Sequence, residues 1–175
     1  MQIAAPRLTL LAATPRHLAT EMVSPQRLGK MLGAVVSPDW PPGEYDQEAM
    51  AYFRDRLLVG GRAVAGWYAW YAIRREEGRQ PAELIGSGGF FGPPDGHGTV
   101  EVGYSVLPAW RRQGYASEMT TALATFALGR PGVRRVIAHT ADDNEASMAV
   151  LRRCGFIATG AGESPGTRRF ELISG

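Results

Sequence analysis

Residues 101–117 read EVGYSVLPAWRRQGYAS. A β-rich strand over residues 99–107 is broken by Pro108, and the best helix of the chain is predicted over residues 111–128. In that helix Tyr115, Met119, Ala122, Leu123 and Phe126 share one face. The first turn of a helix carries unpaired N–H groups and the positive end of the macrodipole, which suits an anion such as a phosphate. Gly114 lets backbone come close to such a group and Ala116 keeps the next approach small, while Arg111 and Arg112 add positive charge. Basic side chains are unfavourable in a first helical turn, and an anionic ligand would account for them. On this stretch alone two readings stand, an ordinary helix start and a phosphate-binding loop.

Outward from it, the elements alternate. Leu8, Leu10 and Ala12 predict a strand over residues 7–13. Thr14-Pro15 and Ser24-Pro25 each place a good N-cap before a proline and start two short helices. A turn at residues 40–43 leads to a helix over residues 44–58. Strands follow over residues 67–74 and 83–91, joined by a polar hairpin loop. Beyond the long helix come a strand over 133–140, a helix over 144–153 and strands over 156–161 and 168–173. The order predicts an α/β fold of the α+β kind: a mixed, mostly antiparallel central sheet with helices on both faces. Its strand–helix–strand centre should be a right-handed crossover. Residues 1–175 are expected to form one domain.

Composition excludes several classes. No stretch free of Asp, Glu, Lys and Arg exceeds eleven residues, against about 20 for a spanning helix. A short signal-like core at residues 8–14 is cut off by Pro15, Arg16 and His17, and strand is the reading adopted there. Cys154 is the only cysteine, so no intrachain disulfide is possible, and a cytoplasmic location is expected. Nineteen basic against seventeen acidic residues is too even for a nucleic-acid binder, and three scattered histidines do not form a metal site. The glycines at 86–89 run into prolines rather than a helix, which removes a dinucleotide fingerprint.

Arg111-x-x-Gly114-x-Ala116 after a strand resembles the pyrophosphate loop of the GNAT superfamily of N-acetyltransferases, and a second block agrees: Asn144-Glu-Ala-Ser147, then Arg152-Arg-Cys-Gly155-Phe156. Residues 7–11 and the strand opening on Glu101 look like the branch that acetylates ribosomal-protein N-termini. The resemblance implies acetyl-CoA as the cosubstrate and a primary amine as acceptor, either a protein N-terminus or a small molecule, in a monomer or homodimer.

It also implies roles. Backbone groups of Val106 and Leu107 would pair with the pantetheine arm, in a splay opening towards the strand at 133–140. The N–H groups of Arg112, Gln113, Gly114, Tyr115, Ala116 and Ser117 would hold the pyrophosphate, with Arg111 adding charge. Asn144 would contact the cofactor near its thiol end, and a backbone N–H near Val106 would meet the oxyanion. Trp40 falls where the acceptor-binding loop lies, or is a plain core aromatic. Attack of an amine on a thioester needs proton removal, oxyanion stabilisation and help for the departing thiolate. Glu101 is the candidate base, about 16 Å along the strand from Val106, so a water chain is implied; a surface glutamate is the alternative. Many members carry a tyrosine seven residues after the asparagine, where this chain has Leu151. Ser147 is then the candidate partner of the thiolate, or a first-turn hydroxyl bonding backbone. A non-catalytic acyl-CoA-binding module is the competing function that Leu151 motivates. His139 ranks lower as a base, and Cys154 reads as packing.

Overall fold

The computed structural model describes residues 1–173. Its strands are β1 (Gln2–Ala4), β2 (Leu8–Ala12), β3 (Val35–Val36), β4 (Ala69–Arg74), β5 (Glu83–Phe90), β6 (Thr99–Val106), β7 (Arg135–Ala141), β8 (Ile157–Ala161) and β9 (Thr167–Ile173). The helices are α1 (Pro15–Val23), α2 (Pro25–Leu32), α3 (Gln47–Gly60), α4 (Tyr115–Leu128) and α5 (Glu145–Arg153). The strands form one sheet in the order β1-β2-β4-β5-β6-β7-β9-β8. Pairing is antiparallel except for β6 with β7, joined through α4, and for β3, which lies parallel to the start of β5. The fold is therefore α/β with a mostly antiparallel open sheet, as the element order implied.

Helix starts follow the capping residues. Thr14 Oγ1 accepts from the His17 amide, Ser24 Oγ from Arg27, Asp46 Oδ1 from Ala49 and Asn144 Oδ1 from Ser147. Among the described residues α4 is the α-helix with no side-chain cap. Its N-cap is Gly114, in the left-handed region at φ 86°. Here the expected boundary is corrected: residues 111–114 are not helical, because left-handed backbone at Arg112 (φ 58°) and Gly114 holds them in a tight loop. Both arginines thus precede the helix, and the first-turn penalty expected for them does not arise.

Two cores sandwich the sheet. On one face Met119, Leu123 and Ala127 of α4 and Met148 and Leu151 of α5 pack on Val100, Val102, Val106, Val136 and Phe170. The glycines of β5 permit close approach, since a Cβ on Gly88 would lie 3.0 Å from Met119 Sδ and 3.1 Å from Leu123 Cδ1. On the other face α1, α2 and α3 bring Leu18, Leu28, Met50 and Leu57 to Tyr71, Ile73, Leu84 and Leu107. Every residue of β4 is consequently buried. Strands β1 and β3 were not legible in the sequence, because their two or three residues carry no periodicity to read.

The start of β2 is tied to the first turn of α4. Glu118 Oε1 accepts from the amides of Arg7 (2.6 Å) and Leu8 (3.0 Å), and Oε2 from Arg7 Nε (2.8 Å). Removing that carboxylate strands two backbone donors. Glu118→Ala is expected to lose about 2 kcal/mol of unfolding free energy, read as a lower urea midpoint. An unchanged midpoint would show that the clamp contributes nothing.

Candidate active site

The site begins where two strands part. β6 and β7 pair at only three rungs, Thr99 with Arg135, Val100 with Val136 and Glu101 with Ile137. Beyond that point β6 runs on to Val106 and β7 to Ala141 without pairing to each other. Antiparallel bonding to β5 fixes which groups face the gap. Glu101 O accepts from the Phe91 amide and the Leu107 amide donates to Ile85 O, so the odd-numbered residues bond to the β5 side. The N–H and C=O groups of Val102, Tyr104 and Val106 therefore point into the gap. This corrects one expectation: the Leu107 amide is committed to Ile85, and its side chain is buried in the second core. Beside Val106, the residue whose backbone faces the gap is Tyr104.

At the far end of β6 the loop of residues 111–114 delivers the uncapped start of α4. Arg111 Nε donates to Val106 O at 3.0 Å, so its guanidinium stem folds back along the gap. Gln113 Nε2 donates to Ala109 O. The Tyr115 ring is buried edge-on against Trp110, with the Arg7 guanidinium 4.2 Å from its centroid. Ser117 Oγ is buried with no hydrogen-bond partner. Arg7 also donates from Nη1 to Gln113 O, and a Cβ on Gly114 would lie 3.3 Å from its Nη2. Arg7 is thus a further cation at this loop, placed from a strand a hundred residues away, and local reading had no means of pairing it with Gly114. Unpaired first-turn amides, alternating left-handed backbone and a buried free hydroxyl make a cradle that fits a pyrophosphate.

Across the gap stands α5. Asn144 Oδ1 is used as the helix cap, which leaves the amide nitrogen of that exposed side chain for a ligand. Ser147 is half-buried, and its Oγ lies 3.0 Å from the phenol oxygen of Tyr104. Leu151 is fully buried in the core and offers nothing to the gap.

On the opposite face Glu101 sits at the last β6–β7 rung. Its Oε1 lies 2.8 Å from His139 Nδ1, on the neighbouring strand, while His139 Nε2 is buried without a partner. Two residues far apart in the sequence are therefore one pair, with His139 held against one oxygen of the carboxylate. Gly103 and Ser105 continue this face along β6 towards the loop before α3, where a Cβ on Gly43 would lie 2.7 Å from Ser105 Oγ.

Trp40 belongs to that loop, but not as an exposed contact. It is 6% exposed, and its indole N–H donates to Glu21 Oε1 at 2.7 Å. Glu21, 1% exposed, also accepts from Tyr45 at 2.9 Å and Tyr71 at 2.6 Å, both on Oε2. Trp40 thereby fixes the loop from within. Nothing in the local pattern of α1 set Glu21 apart from a surface glutamate. Burial pushes its carboxyl above the ordinary range despite the three donors. Burial, with the carboxylate nearby, likewise holds both phenols well above their usual value.

The Acetyltransferase (GNAT) domain family matches residues 7–157. A relative from Bacillus subtilis (strain 168), described as the uncharacterized N-acetyltransferase YjdG, is 34% identical over 128 residues, 73% of each chain. This chain belongs to the GNAT acetyltransferase family. Among solved structures, the acetyl transferase that modifies the N-terminal serine of 50S ribosomal subunit protein L7/L12 from Salmonella typhimurium superposes with a TM-score of 0.68 at 21% identity, covering all of both chains. RimL, the ribosomal L7/L12 alpha-N-protein acetyltransferase in complex with coenzyme A, does so with a TM-score of 0.68 at 22% identity, covering 99% of this chain and 98% of its own. At those identities the likeness establishes the fold.

The buried carboxylate sets a pH dependence. A Glu21 held above its ordinary 4.5 takes up a proton that the unfolded chain has already lost, so stability falls as pH rises from about 4.5 through the folded value. Glu21→Gln removes that slope. The urea midpoint of the variant should climb relative to wild type as pH rises from acid to neutral; parallel profiles would contradict the assignment.

Proposed function

We propose that the protein is an acetyl-CoA-dependent N-acetyltransferase acting on a primary amine, either a protein N-terminal α-amine or a small-molecule amine, by direct attack in a ternary complex. The observation that carries this reading is the parting of β6 from β7 beside the uncapped start of α4. A polar strand edge and an anion cradle meet there, as a phosphate-tailed pantetheine requires. Acetyl-CoA supplies an acetyl group activated as a thioester.

The chain's residues divide the remaining work. Backbone groups of Tyr104 and Val106 align the pantetheine arm, and one of their N–H groups meets the negative charge developing on the acetyl oxygen. Amides from Arg112 to Ser117, with Arg111 and Arg7 behind them, hold the pyrophosphate. The free amide nitrogen of Asn144 faces the arm near its thiol end. Glu101, oriented by His139, removes the ammonium proton through water, and the Ser147 hydroxyl faces the departing sulfur. Membership in the family supports the donor. The structural likeness to enzymes that modify ribosomal-protein N-termini supports an α-amine acceptor, and with it a cytoplasmic site of action for a single-domain enzyme. Among the described residues no helix is long and apolar enough to cross a membrane.

A second reading, an acyl-CoA-binding module without turnover, draws on Leu151, whose fully buried side chain leaves α5 without the family's usual tyrosine. A panel of N-terminal peptides and small amines with acetyl-CoA, read by release of free thiol, separates the two. Thiol release that depends on one acceptor class, and that falls by about 100-fold or more in Glu101→Gln, is the expected result. Saturable coenzyme A binding without turnover on any acceptor would establish the binding module instead.

A further inference from the structure

We infer that Tyr104 is a positioning residue for Ser147: its phenol donates to Ser147 Oγ and turns the serine's own hydrogen towards the gap between β6 and α5. The inference deepens the acetyltransferase reading and rests on it. Tyr104 lies three residues past the last β6–β7 rung, so its backbone faces the gap while its ring crosses to α5. Its phenol oxygen stands 3.0 Å from Ser147 Oγ, a contact in which either oxygen can donate, and 3.2 Å from Ser147 O, which can only accept. The phenol's one hydrogen is therefore shared between these two acceptors, the shorter contact being to Oγ. From the other side the Ser147 amide donates to Asn144 Oδ1 at 3.0 Å, which pins the serine in the first turn of α5. Ser147 is also the only hydroxyl-bearing residue of that helix, whose sequence is EASMAVLRR.

The chemistry follows from the hydroxyl inventory. A serine has one hydrogen to give and two lone pairs to receive. If Oγ receives from Tyr104, its own hydrogen need not be spent on the phenol, and a hydroxyl that accepts one bond donates the next more strongly. Burial pushes the phenol up to about 12, so it keeps its proton at neutral pH. When the carbon–sulfur bond breaks, the electron pair stays on sulfur, which leaves as a thiolate. Ser147 gives that charge a hydrogen bond and keeps its proton, the amine proton goes to Glu101, and solvent protonates the thiolate after release. With Leu151 buried, Tyr104 provides from β6 the phenol that α5 lacks, at one remove from the sulfur.

Tyr104→Phe, Ser147→Ala and the double variant test this, with coenzyme A itself as the probe. Ultraviolet absorbance of the bound thiolate against pH gives the acidity of the enzyme-held thiol, and calorimetry gives its Kd. In wild type the bound thiol should be more acidic than free coenzyme A. Each single variant should return it towards the free value, with Kd at neutral pH changed less than about threefold and kcat about tenfold lower. The double variant should match Ser147→Ala alone, because Tyr104 acts only through Ser147. A bound thiol that is displaced by Ser147→Ala but unmoved by Tyr104→Phe would overturn the role of Tyr104 and leave the acetyltransferase reading standing, as would losses that simply add in the double variant. Failure of wild type to bind coenzyme A would instead strike that reading, and this inference with it.

Discussion

Backbone polar groups cannot be left unsatisfied without cost, and β6 presents a run of them to a gap. After the Glu101–Ile137 rung the two parallel strands separate, and Val102, Tyr104 and Val106 turn their N–H and C=O groups to a space that no strand fills. An open strand edge inside a sheet is a docking site for something that can pair with it. The gap has a polar end, because the loop after β6 delivers the one α-helix start among the described residues that no side chain caps. A ligand with an amide-bearing arm and an anionic tail satisfies both features together, and neither feature alone would specify it.

The surroundings hold that gap in shape. Arg7 and Glu118 lock β2 to the first turn of α4, so the cradle is set by the sheet and does not depend on a free loop. Arg111 anchors on Val106 O, which joins the cradle to the strand edge through one side chain. On the far face α1, α2 and α3 cover β4 and β5, while Glu101 and His139 remain where that layer ends. The buried Glu21 with Trp40, Tyr45 and Tyr71 fixes the loop that borders this face, at the expense of burying a carboxylate among neutral donors. The Tyr104–Ser147 pair and the Glu101–His139 pair thereby lie on opposite faces of one strand, β6, beside the splay.

Much of this was written locally and some was not. The caps at Thr14 and Ser24, the break at Pro108 and the long apolar face of α4 are short-range signals, and the elements they predict are present. The start of α4 was misplaced by four residues because Arg111 and Arg112 are good helix formers, and only the left-handed backbone at Arg112 and Gly114 overrides them. Trp40 read equally as an acceptor-loop residue or a core aromatic, and its buried orientation depends on Glu21, a partner nineteen residues away. The pairs Glu101–His139, Tyr104–Ser147 and Arg7–Gln113 join residues 38 to 106 positions apart, and nothing short of the fold brings them together.

The most direct measurement is a coenzyme A titration followed by backbone amide NMR. Amide signals of residues 112–117, together with those of Tyr104 and Val106, should shift saturably with added coenzyme while Leu107, bonded to Ile85, moves little. Coenzyme that leaves the amides at the start of α4 unmoved, or that perturbs a different surface, would contradict the account at its base.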